Sequence, residues 1–404
     1  MAAETASAPL PIAHRTEHIQ YAVRDIVLVA NEAKKQGKDL LMLNVGDPNQ
    51  FDFDTPKHVL DAIVNRGLLG RHNGYCPSSG VPEAVEAIRR EAARKGIKPV
   101  LDVFTGNGAS EPIEIALTSL CNRGENVLTP SPGYPLYTAV LSKIEVEANP
   151  YYLDEDNGWQ PDVEDIEKRI NSKTRAIVVI NPNNPTGSLA SRETMQKIVD
   201  ICVRHNLVMF SDEIYDKLLF DGAEHVSPGS LSEDLCCLTF NGLSKGYFGP
   251  GLRMGWCISS GPEKRMRPLI DAMAKLTRSR LCASTPVQYG IAAALDGDHS
   301  FLKTEMQKLQ RRRDITFERL NAIDGISCVK PMGAFYAFPR IHTDEDDLQW
   351  VRDLIFATGV VVVHGSGFGQ KPGTRHFRAV FLPQDDVLEK SYAQIAEFVA
   401  KRKR

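Results

Sequence analysis

The feature that most constrains this chain is a recurrence of short apolar, β-branched runs at 126–128, 176–180, 207–210, 238–240 and 255–258, separated by longer stretches of helical period. This alternation is the pattern that builds parallel strands joined by crossover helices. Between the second and third runs, Ser191 is placed to cap a helix reaching His205, with Glu193 near the positive end of its dipole. The chain therefore reads as α/β, with a mostly parallel central sheet carrying helices on both faces. From about residue 300 the character changes to a charged helical stretch at 301–320, two short strands near Cys328 and at 335–338, and a C-terminal helix-like stretch. These predict a smaller α+β domain. An amphipathic segment at 19–34 cannot make a core alone and is expected to pack on that domain or on a partner subunit. The expected division is an N-terminal segment 1–45, a large domain 46–299 and a small domain 300–404.

Composition excludes several classes. A chain of 404 residues allows two to three domains at roughly 150 residues each. With 42% hydrophobic and 25% charged residues it has ordinary globular usage, against disorder, collagen or coiled coil. Lys and Arg number 48 against 51 Asp and Glu, a net charge of −3 that offers no broad cationic field for nucleic acid. The basic runs at 311–313 and 401–404 read as solvated charge on a helix and a terminus. The eight cysteines are scattered with no C-x-x-C pair, so a metal centre is not expected and buried thiols in a reducing compartment are. The N-terminal stretch lacks the apolar run of a signal peptide. No segment approaches the roughly 18 apolar residues of a membrane span, and Glu4 with few early arginines opposes a targeting helix. A cytoplasmic protein acting on small molecules is expected.

Chemistry-bearing residues stand where the runs end. The run at 176–180 leads into N-P-N-N-P-T-G, a turn too rich in proline to continue a strand, which holds Asn184. The next run ends in S-D-E-I-Y, bringing Asp212 to the same carboxyl edge with Tyr215 three residues on. The run after it ends in N-G-L-S-K, bringing Lys245, and Arg253 follows eight residues later. Ligands bind at this edge of open α/β sheets. The string T-G-N-G-A-S-E-P at 105–112 is a glycine turn opening a helix, whose exposed amide groups favour a phosphate. Taken singly, Asp212 suits a cap, Lys245 a surface cation, Asn184 a turn and Tyr215 the edge of a core. Together they meet the needs of pyridoxal 5'-phosphate: an amine for its aldehyde, a carboxylate for its ring nitrogen, donors for its phenolate and a cradle for its phosphate.

The ordered set Tyr75, G-N-G-A-S, P-G-Y-P, N-P-N-N-P-T-G, S-D-E-I-Y, S-K and R-M-G-W resembles the class I aminotransferases of the aspartate-aminotransferase fold, over nearly the whole chain. The strings SDEIYDK, TFNGLSK, CVKPMGAFYAFP and HFRAVFLP look most like the alanine aminotransferase (glutamate–pyruvate transaminase) branch. The resemblance implies that Lys245 is the Schiff-base lysine and proton carrier, Asp212 the partner of the ring nitrogen, and Tyr215 and Asn184 donors to the phenolate. It implies that Tyr134 stacks on the ring, and that the Ala109 and Ser110 amides, the Ser110 hydroxyl and Arg253 hold the phosphate. Tyr75 would reach that phosphate from a neighbouring subunit, which implies a homodimer with shared sites. Arg378 would clamp the substrate carboxylate by a planar fork that lysine lacks, with Gly46 and Asn184 beside it. The implied reaction is L-alanine plus 2-oxoglutarate giving pyruvate plus L-glutamate, in two steps through Lys245.

Two departures from relatives stand out. Phe248 and Gly249 come in reversed order between Lys245 and Arg253, and His364 replaces a common proline in H-G-S-G-F-G, whose Gly365, Gly367 and Gly369 read as a substrate-side loop. His364 reads as a hydrogen-bonded structural residue. The distal carboxylate of glutamate has no unique partner in the sequence. Arg24 and Tyr21 are candidates if their segment folds over the site, and ordinary amphipathic-helix residues otherwise. Other readings are a transaminase for aromatic, branched or acidic amino acids, a pyridoxal-phosphate lyase, and a cofactor-binding regulator. The regulator would need a DNA-binding segment, for which the two domains leave no room, and a nicotinamide dehydrogenase would need a G-x-G-x-x-G turn after an early strand, which is absent.

Overall fold

The computed structural model describes residues 10, 12–16, 19 and 22–402, with residues 22–25 as backbone alone. Its centre is an eight-stranded sheet: β1 Val100–Asn107, β2 Asn126–Ser131, β3 Glu147–Asp154, β4 Gln160–Pro161, β5 Thr174–Ile180, β6 Val208–Asp212, β7 Cys237–Gly242 and β8 Met254–Ser260. They lie in the order β1-β8-β7-β6-β5-β2-β3-β4. Strands β2, β3, β5, β6 and β7 run parallel. Along β5 the side chains alternate between two cores. Ile177 and Val179 join the cluster that includes Met195 and Ile198 of the helix Arg192–Arg204. Ala176, Val178 and Ile180 join the one that includes Ile113 and Met266 of the helices Ser110–Leu120 and Glu263–Ser279. A strand buried on both faces in this way reads as one continuous apolar run.

All five apolar runs form strands of this sheet, and Ser191 caps the helix after β5 by accepting from the Thr194 amide at 3.0 Å. The run at 255–258 departs from the parallel expectation. It lies in β8, which is antiparallel to both β7 and β1. The segment between β7 and β8 holds only the short 3-10 turn Pro250–Leu252, and a parallel return needs a crossover of a dozen or more residues. Sequence reading missed β1, β3 and the two-residue β4. Pro150 within β3 removes a ladder donor and masks the strand signal, although the strand pairs β2 along its length.

The C-terminal part contains the helix Ser300–Asn321, a three-stranded antiparallel sheet with Phe377–Val380 between Tyr336–Ala337 and Val363–His364, and the helices Asp347–Thr358 and Asp385–Arg402. The beginning of the chain is stitched to it. Leu41–Met42 pairs in parallel with Val360–Val361, and the Val380 amide donates to the Leu43 carbonyl at 2.8 Å. The helix Ala22–Lys35 packs against Asp347–Thr358 and Val363–His364. No helix among the described residues is long and apolar enough to cross a membrane.

Ile177 is fully buried at the sheet centre. Ile177→Ala is expected to cost about 2–5 kcal/mol through lost transfer energy and an unfilled cavity. A denaturant midpoint unmoved from the parent would show that the site collapses around the smaller residue.

Candidate functional site

At the carboxyl ends of β5, β6 and β7 the structure opens a cleft of about 590 Å³. Strand β6 delivers Asp212 into it. The carboxylate is buried, accepting from the Tyr137 hydroxyl at 3.0 Å and from the Ile214 amide at 3.3 Å. Burial pushes it from the ordinary 3.8 up to about 6, against the pull of these two donors. Beyond β7, Lys245 Nζ donates to the Gly46 carbonyl at 2.7 Å. Burial drives this amine down to about 8, helped by the cations Arg378 and Arg253 and opposed by Asp47. Both groups are thus displaced toward their neutral forms, as charges taken from water should be.

The loop after β5 is pinned by its own side chains. Asn183 Nδ2 donates to Thr186 Oγ1 at 2.9 Å, and Asn181 Oδ1 accepts from the Ala190 amide at 2.9 Å. This presents buried Asn184, whose Oδ1 accepts from Arg378 Nη1 at 3.1 Å. Arg378 comes from the middle strand of the small sheet and donates through Nη2 to the Asn44 carbonyl at 2.7 Å. Its guanidinium lies over the rings of Tyr336 and Phe368, 4.6 Å and 4.7 Å from their centroids. Stacking and hydrogen bonds together leave a planar fork with little freedom.

The opposite end of the cleft is the opening of the helix Ser110–Leu120. Gly108 adopts a φ of +66°, and a Cβ there would run into the Arg253 guanidinium. Its amide donates to the Arg253 carbonyl at 2.9 Å. Ala109, Ser110 and Arg253 consequently line one end of the cleft, where helix amides and a guanidinium suit a phosphate. Tyr134, Tyr215 and Gly46 also line it. A Cβ on Gly46 would collide with the Tyr336 hydroxyl, so glycine is required there by space.

The structure thus brings together Lys245, Asp212, Tyr215, Asn184, Ala109, Ser110, Arg253, Tyr134, Gly46 and Arg378. It does not bring Tyr75, which is 85% exposed and away from this chain's own cleft. His364 lines a neighbouring cavity rather than this one, with Nδ1 2.7 Å from Ser366 Oγ. Tyr21 and the Arg24 side chain lie outside the described residues, but Val27 of the helix Ala22–Lys35 reaches the cleft wall. Phe248 is buried against Phe53, and its carbonyl accepts from Asn49 Nδ2 and Thr55 Oγ1 at 2.9 and 2.8 Å. Sequence reading missed Tyr137, Tyr336 and Asp47. Tyr137 stands three residues after Tyr134, a helical spacing that could have flagged it. Tyr336 enters only through its strand register opposite Val380.

Residues 38–390 match the model of the family described as aminotransferase class I and II. The chain belongs to this family. Similar to this aminotransferase are the glutamate-pyruvate aminotransferase AlaA of Escherichia coli (strain K12), 40% identical over 97% of this chain and 98% of that protein, and the alanine aminotransferase of Mycobacterium tuberculosis (strain H37Rv), 40% identical over 92% and 88%. Among solved structures, an alanine aminotransferase from Pyrococcus furiosus superimposes with a TM-score of 0.94 at 40% identity, covering 97% of this chain and all of that one. The aminotransferase thus carries the family's fold as well as its sequence pattern.

Asp212 supplies a direct test of the site's electrostatics. An unfolded aspartate releases its proton near 3.9, whereas the folded one keeps it to about 6. The ligand-free enzyme therefore has the full benefit of the protonated form below about pH 4 and loses it as pH rises through about 6. Asp212→Asn is expected to stabilise the ligand-free enzyme by about 3 kcal/mol at pH 8 and by almost nothing at pH 4. Equal effects in denaturation at the two pH values would show that the buried charge is not the cause.

Proposed function

We propose that this aminotransferase transfers the amino group of L-alanine to 2-oxoglutarate, giving pyruvate and L-glutamate, with pyridoxal 5'-phosphate held in the cleft. The observation that carries the reading is a half-buried amine lowered to about 8, Lys245, sharing one cleft with buried Asp212 and the stacked Arg378. The donor set fits the cofactor. Ala109, Ser110 and Arg253 would hold its phosphate, Asp212 its ring nitrogen, Tyr215 and Asn184 its phenolate oxygen, and Tyr134 a ring face. A carboxylate lifted to about 6 by burial is one that a cationic ring nitrogen would hold in its charged form. When bound, the cofactor supplies an aldehyde for amines and a ring that spreads negative charge away from the substrate α-carbon.

The chain's own residues do the rest. Near neutral pH a part of Lys245 is uncharged, so its amine would be able to take a proton from the substrate α-carbon as a general base and give one to the cofactor's exocyclic carbon as an acid. Arg378 orients the α-carboxylate that both amino acids and both oxo acids share. Asn184 accepts from Arg378 through Oδ1, which leaves its Nδ2 as a donor to the cofactor. Alanine as the donor is supported by the names of the similar proteins from Escherichia coli and Mycobacterium tuberculosis. A homodimer in which Tyr75 completes the neighbour's site is supported by its exposure and by the exposed Leu60, Val64 and Leu68 at helical spacing near it in sequence. Eight free cysteines support a reducing, cytoplasmic setting.

Cofactor uptake by the ligand-free enzyme is expected to quicken about tenfold between pH 7 and pH 9, following the uncharged fraction of an amine with a midpoint near 8. The visible band of the loaded enzyme should vanish in Lys245→Ala. Its persistence sinks the assignment of the cofactor to this lysine. Rapid mixing with single amino acids then decides the donor. Alanine and glutamate should each bleach the band, and an enzyme bleached instead by aromatic or branched amino acids has another substrate.

Arg378→Lys should raise KM for alanine and for glutamate alike, by about tenfold or more, because a bidentate contact common to both is lost. An effect confined to glutamate would move Arg378 to the distal carboxylate.

A further inference from the structure

Tyr336 is buried, and four of its neighbours belong to the site or adjoin it. Its hydroxyl lies 3.0 Å from that of Tyr215. Its ring meets Tyr215 edge to face with centroids 5.7 Å apart and lies under the Arg378 guanidinium at 4.6 Å. The hydroxyl occupies the space a side chain on Gly46 would need, and the Phe335 ring packs at 4.7 Å. We propose that Tyr336 is a positioning residue that sets the direction of the Tyr215 hydroxyl and ties it to the Arg378 carboxylate clamp. The inference rests on the reading that Tyr215 donates to the cofactor's phenolate oxygen.

Proton counting carries the argument. Each tyrosine hydroxyl has one proton to give and lone pairs to receive one. If Tyr215 gives its proton to the phenolate, its oxygen can only accept from Tyr336, and the order Tyr336 to Tyr215 to phenolate follows. Burial and Tyr336 both hold the Tyr215 proton in place. The other titratable groups facing Tyr215 are Asp212 and Tyr134, and around Tyr336 stand Arg378 and, across Phe335, Lys245. An oxygen that accepts makes its own hydroxyl a stronger donor. Without Tyr336 the phenolate keeps more negative charge and holds the neighbouring proton of the Lys245 linkage more tightly.

Two substitutions separate the hydroxyl from the ring. Tyr336→Phe keeps the ring under Arg378 and removes the hydroxyl, whereas Tyr336→Leu removes both. In the loaded enzyme without substrate, the pH midpoint of the visible band should rise by roughly half a unit or more in Tyr336→Phe, a change of about threefold or more in the proton equilibrium. KM for alanine and glutamate should stay within about twofold of the parent in that variant and rise at least about fivefold for both in Tyr336→Leu. A parent enzyme with a titrating band that Tyr336→Phe leaves unmoved overturns the inference alone. A parent that takes up no cofactor sinks the functional reading and the inference together.

Discussion

Placing buried Asp212 and half-buried Lys245 at and just beyond the carboxyl ends of adjacent parallel strands is the constraint around which the rest of the structure is arranged. Dehydration weakens the hold of both groups on their charge, seen in the rise of the acid to about 6 and the fall of the amine to about 8. The fold tolerates this because each group keeps hydrogen bonds, from Tyr137 and Ile214 to the acid and from the amine to Gly46. The carboxylate one residue on is treated in the opposite way. Glu213 is also fully buried, yet Lys95 at 2.9 Å, with Ser211 and Ser227, holds it below the ordinary range despite that burial. One acid is furnished with a cation by the protein, and the other is left for a ligand to satisfy.

Segments from the first and last parts of the described chain meet at the same place. The strand pair Leu41–Met42 with Val360–Val361 sets the path that leads to Asn44 and Gly46, and the Leu43 carbonyl accepts from Val380, two residues past Arg378. The Asn44 carbonyl then accepts from Arg378 itself. A guanidinium held by a backbone oxygen, Asn184 and two aromatic faces presents its fork in one orientation, which a flexible surface arginine could not do. The carboxylate clamp is therefore assembled from residues far apart in sequence, and neither part would hold it alone.

What was legible in the sequence followed local rules. Apolar runs marked five strands because burial on both sheet faces demands continuous hydrophobicity, and Ser191 marked its helix because an N-terminus needs an acceptor. Asp212, Lys245 and Asn184 were legible because each lies within five residues of the end of such a run, where chain geometry brings them to one edge. The direction of β8 was not legible, since the pattern of a strand does not state which way it runs. Neither was Pro150 within β3, where pairing with β2 outweighs the missing donor.

By itself, then, the sequence determined the fold class, the family pattern and the residues that the sheet edge gathers, because periodicity and strand endings are local properties. Only the tertiary structure decided that Tyr137 answers Asp212, that Tyr336 stands between Tyr215, Gly46 and Arg378, and that Tyr75 is exposed and does not line its own cleft. Those relations depend on strand register and on the packing of segments far apart in the chain. Burial is what turns them into chemistry, since it shifts the titration of Asp212 and Lys245 toward neutral pH and has no signature in either residue's own neighbourhood in the chain.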